Sequence, residues 1–182
     1  MQALVFLIAT VLASPSQLSD ALRDAQYGTR MPGDTIVMTG FKQGDGREFS
    51  FAALPHNVRV LVFVEPLEHE AGLKRLAWWQ ANAKALSSLA DVIAVPSASP
   101  RLKAAGKGLV MVDDPDCLLA ARFGAIRPYD GRLGALPLAF VLDEHGIIRA
   151  TIEPGLAKDQ LKPITAAVQR LRRQLSRQAQ SY

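Results

Sequence analysis

The chain reads as an α/β domain, a central mixed β-sheet flanked by helices. Three observations predict this. Short, valine-rich apolar runs recur at Val58–Val64, Asp91–Val95 and Leu109–Val112, the pattern of strands buried on both faces. Segments with helical apolar spacing lie between them, the order of crossovers in a parallel sheet. Two more apolar runs then flank Asp143-Glu144-His145-Gly146, a hairpin that adds antiparallel strands.

The chain has 182 residues, 49% hydrophobic and 21% charged. That is enough for one domain with a core, and too apolar for a disordered chain. The formal net charge is +4. Much of it lies in Lys162, Arg170, Arg172, Arg173 and Arg177, which read as a solvated helix face. No aromatic side chains interleave with these, so nucleic acid is not an expected partner. Cys117 is the one cysteine. No intrachain disulfide and no Cys-x-x-Cys pair can form, which removes mechanisms needing two sulfurs in one chain.

At the N-terminus, Ala3–Ala13 is an uncharged apolar stretch, too short to span a membrane as a helix. It has the length of a signal-peptide core, with Val11-Leu12-Ala13 as a cleavage site, although no Lys or Arg precedes it. The alternative is a buried strand or short helix of a cytosolic protein. The expected location is periplasmic or membrane-associated through residues 3–13, with the cytoplasm as the alternative. Leu18, Ala21, Leu22 and Ala25 then fall at helical spacing, and Gly28 stops that helix.

Thr35–Thr39 and Arg47–Phe51 read as two strands around Gln43-Gly44-Asp45-Gly46, an N-terminal hairpin extension. A helix is expected over Glu70–Leu89, with Leu73, Leu76, Ala77, Ala83 and Leu86 as its apolar stripe. Of Trp78 and Trp79, one indole should face inward and one outward. Ser99-Pro100 suits a helix start, ended by Gly106. A helix over Asp114–Phe123 opens on acidic residues, which suit its positive end, and Gly124 closes it. Residues 125–136 read as a loop. Leu138–Leu142 and Ile147–Ile152 form the hairpin, and a last helix runs from Ala157 to Gln178. Its buried face is Leu161, Ile164, Ala167, Val168, Leu171 and Leu175. The expected organisation is an appendage at 1–30, one domain at 31–178 and a tail at 179–182.

Three segments carry a family resemblance. PGDTIVMTGFKQGDGREFSFAAL is similar to the N-terminal hairpin of the TlpA and peroxiredoxin-like branch of the thioredoxin fold. DDPDCLLAARFGA resembles that branch's helix and aromatic-Gly segment. LPLAFVLDEHGIIRA looks like its last hairpin. FVEP resembles MauD, an accessory protein of methylamine dehydrogenase maturation, where a Cys-Pro-x-Cys turn follows. On that pattern the two cysteine positions fall at Glu68 and Ala71. On the peroxiredoxin pattern the Thr and Cys positions fall at Glu70 and Leu73. No sulfur stands at any of them. The resemblance also implies that Leu136-Pro137 is the cis-proline facing this turn.

The chemistry candidates are therefore few. Pro66, Glu68, His69, Glu70, Ala71, Leu136 and Pro137 form the altered turn and a candidate binding surface. Glu68-His69-Glu70, with Glu65 nearby, reads as a charged helix start; adjacent residues rarely converge on one ion, and no metal or other cofactor is expected. Cys117 is an alternative nucleophile, or an inert core thiol. Asp143 and Arg149 close the last hairpin turn. No serine has a plausible His-Asp pairing. The resemblance implies a redox-inactive binding or assembly module with a protein partner. The alternatives are a thiol oxidoreductase or peroxidase using Cys117, and a dimerisation domain similar to the cysteine-free tail of flavin-dependent phenol hydroxylases.

Overall fold

The computed structural model describes residues 29–36, 41–44, 46–97, 108–129, 132–155 and 158–181. The expected N-terminal apolar segment, the helix before Gly28, residues 37–39 of the expected first hairpin strand and the helix between Ser99 and Gly106 lie outside them.

Among the described residues, eight strands and three α-helices follow one another in chain order. They are β1 (Lys42–Gln43), β2 (Val58–Val64), α1 (Glu70–Asn82), β3 (Asp91–Pro96), β4 (Leu109–Asp113), α2 (Leu118–Arg122), β5 (Ile126–Tyr129), β6 (Arg132–Ala135), β7 (Ala139–Asp143), β8 (Ile148–Ile152) and α3 (Leu161–Ala179). The main sheet has the order β1-β4-β3-β2-β7-β8, and β5-β6 form a separate ribbon. β2, β3 and β4 run parallel, with Arg59 opposite Asp91 and Val92 opposite Leu109. β7 and β8 are antiparallel, as the hairpin reading requires.

β2 is buried along its whole length because each face meets a different core. Val58, Val60, Val62 and Val64 pack under α1 and α3, beside Leu76, Trp79, Ile164, Val168 and Leu171. Leu61 and Phe63 point the other way, toward Phe123, Phe140, Phe41 and Phe49. Each such large side chain contributes about 1.5–3 kcal/mol through burial. Arg59 is the exception in this strand. Its guanidinium donates to the carbonyls of Asp143 and Phe51 at 3.1 and 2.9 Å and stacks on the Phe51 ring.

Four differences from the sequence reading have physical causes. First, the buried stripe of α1 is Gly72, Leu76 and Trp79, continuing into Ala83 and Leu86 of a 3-10 turn, while Leu73 and Ala77 are exposed. The helix is rotated so that its largest side chain, Trp79, enters the core and Gly72 meets the strand end. A Cβ at Gly72 would lie 2.5 Å from the Pro66 carbonyl oxygen. Trp78 is half-buried against Trp79, edge to face.

Second, the N-terminal hairpin becomes the sheet's edge. Lys42 pairs with Asp113 of β4 and bridges Glu48, and Phe51–Ala53 is a 3-10 turn, not strand. Thr35 bridges Ile147 beside β8. Third, α2 is short. Cys117 sits in the left-handed region, φ 55°, which breaks the helix expected from Asp114. Fourth, Ile126–Tyr129 and Arg132–Ala135 are not loop but the paired strands of the β5-β6 ribbon.

A strap of residues 29–34 ties the two ends of the fold. The Arg30 backbone N–H donates to Phe123, its Nε to the Arg122 carbonyl, and its carbonyl accepts from Thr151. Among the described residues, no helix is long and apolar enough to cross a membrane.

Candidate functional site

The altered turn sits at the carboxyl edge of the parallel strands, where open α/β sheets place their ligand crevices. After β2 come Glu65 and Pro66, both buried, and Leu67 follows them inward. The chain then turns out. Glu68, Glu70 and Ala71 are exposed, and His69 is partly so. His69 occupies the N-cap position of α1 with extended backbone, but its side chain makes no cap bond. Glu70 lies in the first turn, as the charged-start reading expects, and pairs with Lys74 at 2.7 Å on the exposed face. Leu73 is 53% exposed beside them.

Glu65 does not join Glu68, His69 and Glu70 as a cluster. Its carboxylate faces inward and takes two bonds from Arg75, Nε at 2.6 Å and Nη2 at 3.0 Å. Arg75 Nη1 donates to the Pro154 carbonyl. This fork-to-fork pair pins the end of β2 to α1 and to the segment after β8. Arg75 lies one helical turn past Ala71, so the sequence places it near the strand end. Nothing local in the sequence says it turns inward.

The ribbon closes the site from the other side. Gly134 lies against Pro66: a Cβ there would come within 2.5 Å of Pro66 Cγ and of Tyr129 Cδ2. The Tyr129 ring lies 5.5 Å from His69 and carries the Arg127 guanidinium at 4.2 Å. Burial pushes the Tyr129 phenol above its usual range, against the pull of Arg127, and its hydroxyl donates to the Ala135 carbonyl. Sequence reasoning missed Arg127, Tyr129 and Gly134. The signal was present: Tyr129 pairs with Arg132 across Asp130-Gly131, a two-residue hairpin sequence.

Leu136 and Pro137 are half-buried, and no cis peptide occurs among the described residues. The Leu136-Pro137 bond is trans. The Leu138 N–H donates to the Leu136 carbonyl across Pro137 at 2.8 Å, a three-residue turn that suits the proline ring. Leu136 N–H bonds Ala125, and Leu138 carbonyl accepts from Phe63, so both flanks are tied down.

Cys117 precedes α2 and is not part of the turn. Its side chain is 2% exposed and its thiol donates to the Leu133 carbonyl at 3.5 Å. Burial pushes the thiol up to about 12, and the Asp114 carboxylate adds to this, against a hydrogen bond from Ser97. Asp114 is fully spoken for: its two oxygens accept from Leu119 and Ala120 N–H. Ser97 bonds the Val64 carbonyl and accepts from Ala135 N–H. At the far hairpin, Asp143 accepts from His145 and Ile147 N–H and pairs with Arg149, so it closes that turn. Among the described residues, no group of three His, Cys, Asp or Glu side chains could hold a metal ion.

No protein-family model matches the chain, and no curated protein matches it. Solved structures do. Peroxidoxin BcpB of Mycobacterium tuberculosis superposes with a TM-score of 0.63 at 18% identity, covering 76% of this chain and 96% of that one. A thiol peroxidase of Chromobacterium violaceum gives 0.60 at 13%, covering 78% and 88%. Peroxiredoxin Q of Xanthomonas campestris gives 0.57 at 15%, covering 75% and 99%. The chain has the thioredoxin-like fold of these proteins.

Proposed function

We propose that this chain is a thioredoxin-like binding or assembly module that performs no thiol chemistry. One observation carries the proposal. The single cysteine is buried and its thiol is pushed up to about 12, so almost no thiolate exists at neutral pH. The positions where the resemblance puts reactive sulfur hold Glu68, Ala71 and Leu73. The surface offered to a partner is the outward part of the turn: Glu68, His69, Glu70 and Ala71, with exposed Leu73 and the neighbouring Leu136-Pro137. Pro66 supports it from below. An apolar spot ringed by carboxylates suits a protein surface with a hydrophobic contact and a basic rim. By its resemblance to MauD, the module serves assembly of another protein in a bacterial envelope.

The test is turnover of hydrogen peroxide and of a dithiol or disulfide substrate by wild type and Cys117→Ser. The expected result is no turnover above buffer in either chain. Wild-type turnover that disappears in Cys117→Ser establishes the alternative, a single-cysteine peroxidase or oxidoreductase. Sedimentation of the pure chain, alone and with proteins recovered from the native host, separates a homodimer from a module serving a different partner.

A further inference from the structure

The amino edge of the sheet, opposite the altered turn, carries a second arrangement of polar groups. Asp91, at the start of β3, holds His56 twice. One carboxylate oxygen accepts from the His56 backbone N–H and the other meets ring Nδ1, both at 2.9 Å. The Asp91 side chain is 8% exposed and the His56 side chain 29%. The ring is therefore fixed by a buried carboxylate, and Nε2 is the ring atom left to meet a ligand.

A cleft of about 360 Å³ opens beside this ring, between the segment before β2, the turn after α1 and the last turns of α3. That volume is within the range of small-molecule sites. Its polar lining is His56, Asn57, Arg172 and Ser176, and its apolar lining includes Leu89 and Leu175. Arg172 and Ser176 are four residues apart on one helix face. Arg172 Nη1 donates to the Ser88 carbonyl at 3.0 Å, which holds the guanidinium between α3 and the turn after α1.

We propose that this cleft binds a small monocarboxylate with a short aliphatic body. Among the described residues the lining holds a guanidinium, an imidazole, an amide and a hydroxyl, and no carboxylate. Such a set favours an anion, and a guanidinium favours a planar carboxylate through paired N–H bonds. Leu89 and Leu175 supply the apolar wall for the chain behind it. The negative end of α3 lies at one rim. Its Arg177 and Gln178 carbonyls already accept from Gln180 and Ser181 N–H, which reduces their repulsion. A second cleft on the other side of His56, about 330 Å³, includes Asp91 itself in its lining. That carboxylate makes it the poorer anion site.

The test is NMR titration of the full chain with sodium hexanoate, with 1-hexanol and inorganic phosphate as comparison probes. The expected result is saturable shifts at His56 and Arg172 with hexanoate, and weaker responses to the other two. Arg172→Gln should weaken hexanoate binding about tenfold or more, the loss of a paired charged contact. Arg170→Gln, on the same helix and outside the cleft, should leave it unchanged. Ser176→Ala gives a second, smaller loss should Arg172→Gln fail to fold. No saturable shift, an equal response to hexanol or to phosphate, or an equal loss in Arg170→Gln overturns the proposal.

Discussion

At the carboxyl ends of β2 and β3, Glu65 is locked to Arg75, and Ser97 bonds both Val64 and Ala135. At the amino ends, Asp91 holds His56 beside two open clefts. Both edges use buried carboxylates, yet for different ends. At the carboxyl edge the polar groups satisfy one another and the ribbon lies flat on Pro66. At the amino edge one carboxylate orients a ring that remains partly exposed. In this fold the carboxyl edge is where reactive groups usually sit. Here, among the described residues, its buried polar atoms bond one another and serve the scaffold.

Substitutions at the two edges should separate these roles. Glu65→Gln leaves the Arg75 guanidinium buried without its carboxylate. It should cost about 3–5 kcal/mol in urea unfolding, the usual penalty for breaking a buried pair from one side. A cost below about 1 kcal/mol would match a surface pair and break the contrast.

Asp114 gives the next largest effect, read through pH. Burial raises its carboxyl from 3.8 to about 6, against the pull of the N–H groups of Leu119 and Ala120. A carboxyl raised on folding holds its proton longer in the folded chain. Its contribution is therefore fully present below pH 3.8 and lost as pH rises through about 6. The loss at pH 7 is on the order of 3 kcal/mol. Wild type should lose stability between pH 4 and 7 relative to Asp114→Asn, whose slope should be flatter. Parallel pH profiles for the two chains sink this assignment.

Gly134→Ala should cost about 1–3 kcal/mol, because the new methyl meets Pro66 and Tyr129 at 2.5 Å. Thermal unfolding measures it, and an unchanged midpoint would mean that the ribbon floats over Pro66. Asp91→Asn, at the opposite edge, should cost less, about 1–2 kcal/mol for one weakened hydrogen bond to a partly exposed ring. If Asp91→Asn equals or exceeds Glu65→Gln, the two edges are equally structural and the comparison fails.

Much of this fold was legible because burial on two faces leaves a plain mark. Val58–Val64 reads as a central strand from its residues alone, and so does the hairpin around Asp143. The buried face of α3 also follows its spacing, through Ile164, Val168 and Leu171. What escaped depends on partners distant in sequence. Leu73 fits an apolar stripe by spacing, but the tight approach of Gly72 to Pro66 turns it outward. The acidic run before Cys117 looks like a helix start. Asp114 does cap the helix, but from below a left-handed Cys117, which delays the first turn. That the turn before α1 holds no cysteine could be read directly. The Glu65–Arg75 pair could not, since a charged residue after a strand is ordinarily solvated.

The strap at residues 29–34 has a consequence for how the chain is made. Arg30 leaves the ribosome early, yet its carbonyl bonds Thr151, 121 positions later. Ile36, Phe41 and Phe49 pack against Phe140 and Ile148, which also come late. At about 5–20 residues per second, translation separates those partners by roughly ten seconds. Through that interval Ile36, Phe41 and Phe49 are made, while the Phe140 and Ile148 side chains of their cluster are not. The first encounters of this leading part in the cell are with whatever shields nascent chains, and its place in the fold is taken last.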